Sequence, residues 1–141
     1  MNKNFYCLGL MSGTSMDGID ASIIYSNGLD NLKIIENNYY KYDDELINIL
    51  SNFKNKINSL DDLKLYQKDL KNLERKITIL HAEFANDILK KAKENVDLIG
   101  FHGQTIYHNP DEKISKQLGD GRLLSQLIKK KIVFNFREND I

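Results

Sequence analysis

The stretch CLGLMSGTSMDGIDASIIY, Cys7 to Tyr25, sets an apolar run on either side of a knot of Ser, Gly, Thr and Asp. Phe5–Met11 reads as a buried strand. Ile19–Tyr25 reads as a second, with Ile19, Ala21 and Ile23 alternating with Asp20 and Ser22. A plain hairpin needs only two permissive residues, yet Ser12–Gly18 gathers hydroxyls, glycines and a carboxylate. Two readings of SGTSMDG stand side by side. In the first, Gly13 and Gly18 permit close backbone approach, and Ser12, Thr14 and Ser15 supply hydroxyls. Successive N–H groups then converge on phosphate, and Asp17 or Asp20 holds magnesium through hard oxygen. In the second, Asp17-Gly18 is a hairpin turn and the hydroxyls solvate it.

Two familiar loops fail on spacing. A Walker loop needs G-x-x-x-x-G-K-[ST] opening a helix, but no lysine follows here and a strand comes next. A nucleophile elbow needs G-x-S-x-G, and GTSMD puts Asp17 where the second glycine belongs.

Downstream, SNGLDN (Ser26–Asn31) is a turn cluster and Leu32–Asn37 a third strand, so three strands should form an antiparallel meander. The period then changes. Leu46, Ile47, Ile49, Leu50, Phe53 and Ile57 mark one helix face. Ser59 with Asp62 resembles a capping box opening a single long helix. Its stripe runs through Leu63, Tyr66, Leu70, Leu73, Ile77, Leu80 and Phe84, and is read as amphipathic cover for a sheet, with His81 at its surface or boundary. Val96–Phe101 is a short strand running into the loop HGQTIYHNPD, which Pro110 closes. A short extended piece in KISKQLGDG, a helix from Arg122 to Lys130 and a last strand, Ile132–Phe136, complete an α/β chain with a mixed sheet.

Composition excludes several classes. At 141 residues the chain is one domain's worth, and 41% hydrophobic content argues against disorder. Twenty basic residues balance twenty acidic ones, leaving no global field for nucleic acid or anionic membrane. Lys129–Lys131 is read as solvated surface at a helix end. Cys7 is the only cysteine, so neither an intramolecular disulfide nor a cysteine zinc cluster can form, and it is read as a small core residue. No segment reads as a signal peptide or membrane span, which points to the cytoplasm.

FHGQT adds a second signal. His102, Gln104 and Thr105 are placed just past a buried strand, where open α/β sheets put their ligands, and can hydrogen-bond sugar hydroxyls or an acetamido group. A histidine satisfying backbone groups is the competing reading. His102 and His108 make a poor metal pair for want of carboxylates. Arg137 can pair an anion or lie at the surface.

Together these stretches resemble the N-terminal part of the anhydro-N-acetylmuramic acid kinase family. GLMSGTSMDGID (Gly9–Asp20) is similar to its first motif, DLIGFHGQTIYHNP (Asp97–Pro110) to its second and QLGDGRLLSQLIKKKIVFNFREND to its third. The resemblance implies a ribonuclease-H-like domain of the sugar kinase, heat-shock ATPase and actin superfamily. Residues 1–141 would be a single N-terminal subdomain, with the second domain absent. It implies ATP and magnesium as cofactors and phosphorylation of 1,6-anhydro-N-acetylmuramic acid with ring opening, in cell-wall recycling. Gly13, Thr14, Ser15, Met16, Asp17, Gly18, Ile19 and Asp20 would form the ATP loop, with Asp17 toward the metal. His102, Gln104, Thr105 and Arg137 would belong to the sugar side. The family's aspartate base lies beyond Ile141, and its arginine run is reduced to Arg137. The chain alone is therefore expected to be inactive, the alternative being a non-catalytic half-domain that binds a sugar or partner. The sheet edge after Phe136 is expected to invite self-association or a C-terminal half.

Overall fold

A computed structural model describes residues 3–138. Strand β1 (Phe5–Ser12) pairs antiparallel with β2 (Gly18–Ser26), and β2 antiparallel with β3 (Leu32–Lys41). The other edge of β1 pairs parallel with β4 (Leu98–Asn109). Beyond β4 lie β5 (Ile114–Leu118), antiparallel to its second half, and β6 (Lys131–Val133), parallel to its first. The result is a six-stranded mixed sheet ordered β3-β2-β1-β4-β5, with β6 beside β4. This is the α/β, ribonuclease-H-like arrangement expected, with its antiparallel meander.

Helices α1 (Asp44–Lys56), α2 (Leu60–Leu65) and α3 (Gln67–Lys91) fill the connection from β3 to β4, and α4 (Gly121–Ile128) precedes β6. Side-chain caps start three of them: Asp43 accepts from Leu46 N–H, Ser59 from Asp62 N–H and Asp120 from Leu123 N–H. The reciprocal half of the Ser59 cap is displaced by one residue, since Asp62 accepts from Asn58 N–H. Leu8, Leu10 and Ser12 of β1 and Ile19, Ala21 and Ile23 of β2 face the helices and are buried. Met11 and Asp20 point to the opposite, open face.

Five expectations need correction. The single long helix is broken at Tyr66, whose φ of −96° and ψ of 13° end α2 before α3 begins. Its inward face runs Leu70, Leu73, Ile77, His81, Ala85 and Ile88, whereas Leu80 and Phe84 are only half-buried. His81 is thus fully buried, not a surface or boundary residue. The HGQTIYH segment is strand, not loop, because β5 returns to pair with it. Lastly, β6 stops at Val133. Asn135 adopts a φ of 63° and the chain turns into one 3-10 turn, Phe136–Glu138, so the sheet edge offered there is three residues long.

Candidate functional site

Between β1 and β2 the backbone makes a tight turn in which Met16 N–H donates to the Gly13 carbonyl at 3.3 Å. Met16 takes a φ of 58° and drives its side chain into the core. Ile19 is likewise fully buried, so Met16 and Ile19 offer a ligand only their backbone. Thr14, Ser15 and Asp17 are exposed. Around Gly13 a β-carbon would meet nothing within 4 Å, whereas at Gly18 it would overlap the Tyr40 carbonyl. Gly13 therefore leaves space beside the backbone, and Gly18 lets β3 close on the turn. Tyr42 N–H donates to the Asp17 carbonyl at 2.8 Å and fastens the turn to the end of β3.

Ser15 Oγ donates to Asp17 at 2.8 Å. That bond, and a second from Tyr39, hold the Asp17 carboxyl below the usual carboxylate range, so it is an anion at neutral pH. Among the described residues no three His, Cys, Asp or Glu side chains converge into a metal-holding cluster. Asp17 stands as a single carboxylate beside exposed hydroxyls, a donor set that suits a magnesium ion completing its shell with phosphate oxygen and water.

The FHGQT segment is divided by its glycine. Gly103 has a φ of 81°, and a β-carbon there would come within 2.7 Å of the Leu118 carbonyl. The pairing of β1 with β4 steps from Leu10↔Phe101 to Ser12↔Gln104, so one extra residue is accommodated on β4. Inward-facing positions therefore change from odd to even along β4, from Ile99 and Phe101 to Gln104 and Ile106. Without the bulge Gln104 would share a face with His102.

On the open face, His102 receives Arg137 Nε–H at its Nε2, 3.3 Å away, and donates from Nδ1 to the Gly103 carbonyl at 3.0 Å. His102 and Arg137 line a polar cavity of about 140 Å³ with Lys116 and Gln117. His102 also borders a shallower depression of about 430 Å³ shared with Asp20, Met11 and Phe136. The structure thus brings His102 and Arg137 together and sets Asp20 on the same face.

Gln104 is not there. Gln104 is fully buried and spends its amide on protein: Nε2 donates to the Gly13 carbonyl at 2.7 Å and to the Thr105 carbonyl at 3.1 Å, and Oε1 shares the Tyr42 hydroxyl proton with Ser12. Thr105 accepts from Gln117 and is 7% exposed. The expectation that Gln104 presents polar atoms beside His102 is corrected by the bulge, whereas Thr105, at an odd position past it, stays on the His102 face with its hydroxyl bonded to Gln117 of the cavity wall. Ser12 is also withdrawn from the loop's outer face. Its hydroxyl lies 3.1 Å from His81 Nε2 and accepts from Tyr42 at 2.9 Å.

The family model for anhydro-N-acetylmuramic acid kinase matches residues 5–141. The chain belongs to that family. It is 55% identical, over all of its 141 residues, to an anhydro-N-acetylmuramic acid kinase of Pelagibacter ubique, of which it covers 38%. Kinases of the same description from Agrobacterium fabrum and Zymomonas mobilis are 36% and 35% identical over 95% of the chain, which covers 37% and 38% of them. The chain thus spans a little over a third of the length of these curated relatives.

In this family member, sequence reasoning missed the residues beneath the loop. Tyr42 is buried, and desolvation pushes its hydroxyl up to about 12, so it remains a donor. Burial pushes the His81 imidazole down to about 4, and its ring packs edge-on against Phe101, with centroids 4.9 Å apart. The three-four spacing from Leu73 through Ile77 to His81, Ala85 and Ile88 was visible, but large apolar residues at 80 and 84 drew the stripe aside. Nothing in the sequence marked Tyr42. The α4 entry is held from α3, with Glu74 accepting from Gly119 N–H at 3.1 Å and Thr78 Oγ1 from Asp120 N–H at 2.9 Å.

Proposed function

We propose that the β1–β2 loop takes the phosphate tail of ATP and that the open face beside it takes an amino sugar. The chain would then be the N-terminal part of a kinase that phosphorylates 1,6-anhydro-N-acetylmuramic acid at O6. Water opens the anhydro ring, giving N-acetylmuramic acid 6-phosphate, and the work would be done in the cytoplasm during cell-wall recycling. The observation carrying this reading is the loop. Gly13 leaves open space at its α-carbon, and Thr14 and Ser15 expose hydroxyls next to an ionised Asp17.

Phosphoryl transfer needs alignment and charge neutralisation more than covalent help. Thr14 and Ser15 would hold phosphate oxygens, with backbone N–H groups from Gly13 to Asp20 around them. Magnesium, with Asp17 nearest, would supply neutralising charge. His102 and Arg137 would orient the sugar on the open face, Arg137 offering its remaining N–H donors to the lactyl carboxylate. We assign activation of the attacking water to a base outside these 141 residues. Turnover would therefore need the rest of the kinase, docked in part along the β6 edge.

Calorimetry of the purified chain with ATP and with the anhydro-sugar, followed by turnover assays with and without the remaining portion of the kinase, tests this. Binding by the chain alone, with turnover only after complementation, is expected. Strong turnover by the chain alone would refute the division of labour. Binding with no turnover even after complementation would instead favour a non-catalytic half-domain.

A further inference from the structure

A glycine peptide beside an anion site has to be held, because nothing steric decides which way it faces. Gly13 has open space at its α-carbon, and within the turn its carbonyl accepts a long bond from Met16 N–H at 3.3 Å. Gln104 supplies the shorter bond, from outside the turn. Its Nε2 reaches 91 residues back along the chain to the Gly13 carbonyl at 2.7 Å, from a fully buried position.

The orientation of the Gln104 amide is itself determined. Two of its neighbours, the Gly13 and Thr105 carbonyls, can only accept, so the NH2 group must face them. Oε1 is left toward the Tyr42 hydroxyl, 3.1 Å away. The preceding residue is fastened separately. Ser12 is tied to α3 through His81, whose Nδ1–H donates to the Ile77 carbonyl at 2.8 Å and leaves Nε2 as acceptor for the Ser12 hydroxyl. Consecutive residues at the root of the loop are thus anchored to different elements, Ser12 to α3 and Gly13 to β4.

We infer that Gln104 is a positioning residue that sets the polarity of the Gly13–Thr14 peptide, turning the Gly13 carbonyl inward and the Thr14 N–H outward to meet an anionic ligand. In a trans peptide the C=O and N–H point in opposite directions, so fixing one aims the other. A flipped peptide would show a carbonyl oxygen to phosphate, replacing attraction by repulsion. The inference rests on the phosphate reading of this loop and adds a residue that touches neither nucleotide nor sugar.

The test uses the 141-residue chain with Gln104→Leu, which keeps the bulk and removes the donor. Tyr42→Phe serves as a second variant, which frees Gln104 Oε1 without changing volume. NMR reports the Gly13 carbonyl and Thr14 amide shifts and the orientation of that peptide from residual dipolar couplings. Calorimetry reports affinity for ATP and for inorganic tripolyphosphate. In the unsubstituted chain the Thr14 N–H should point away from β4. In Gln104→Leu the Gly13 and Thr14 signals should move while those of α4 stay in place, and affinity for both probes should fall roughly tenfold, the equivalent of one lost hydrogen bond. Tyr42→Phe should move the same signals less.

An unchanged Gly13–Thr14 peptide in a folded Gln104→Leu chain would overturn the inference, as would a reoriented peptide with undiminished affinity. If the unsubstituted chain binds neither probe, the phosphate reading falls and the outward N–H loses its ligand. The peptide signals then still decide whether Gln104 holds the turn.

Discussion

The two faces of the sheet at Gly103 use the same five-residue motif in opposite ways. On the open face His102 keeps its imidazole at a cavity wall, paired with Arg137 and bordered by Lys116. On the helix face Gln104 is sealed in with Ser12, Tyr42 and His81, and each of its polar atoms bonds to protein. One extra backbone residue separates a side chain available for recognition from one that supports the loop. Polar residues adjacent in sequence need not share a ligand when a bulge lies between them.

The comparison is broken most directly at the bulge. Gly103→Val forces a branched side chain into a left-handed backbone and against the Leu118 carbonyl, 2.7 Å from the first added carbon. A loss of about 4 kcal/mol in urea unfolding, or failure to fold, is the expected result. Substitution without loss of stability would mean that the strand does not need the bulge.

Acid sharpens the contrast next. His81 is held neutral by burial, down to about 4, with the Ile77 carbonyl opposing. The unfolded imidazole titrates near 6.5, so between those values the unfolded chain binds the extra proton. Stability should be complete above pH 6.5 and decline by about 3 kcal/mol as pH falls toward 4. Urea midpoints from pH 7 to 4.5 measure it, and His81→Phe should flatten the slope. An unaltered slope in that variant would place the titrating group elsewhere.

Tyr42→Phe removes the hydroxyl whose one proton is shared by Ser12 Oγ and Gln104 Oε1, for an expected loss of about 1–2 kcal/mol. The smallest stability effect belongs to the open face. His102→Gln should shift stability by no more than about 0.5 kcal/mol, since the site is only half-buried. Affinity for the anhydro-sugar should nevertheless fall clearly in calorimetry. Equal stability losses at His102 and Tyr42 would erase the distinction between the faces.

Much of this architecture was legible from residue order. Alternation in Ile19, Ala21 and Ile23 named the inward face of β2, and Asn27-Gly28 announced the turn into β3, where Gly28 has a φ of 77°. The hydroxyl-rich loop stood out because a plain hairpin needs only two permissive residues. Other features were hidden for physical reasons. The HGQTIYH segment is too polar to look like a strand, and β5 supplies most of its ladder partners. Ile132–Phe136 looks like a strand, but Phe136 folds back over Gly100, its ring 3.6 Å from where a β-carbon would be.

Periodicity, turn residues and caps are local properties, so the chain on its own determined the meander, the helical connection and the presence of an unusual loop between β1 and β2. Tertiary structure alone decided which polar groups lie on the open face and which are buried. Ser12, Tyr42, His81 and Gln104 come from β1, the β3–α1 connection, α3 and β4, and a buried hydrogen bond exists only once folding has brought donor and acceptor within reach and removed the water that would otherwise satisfy both.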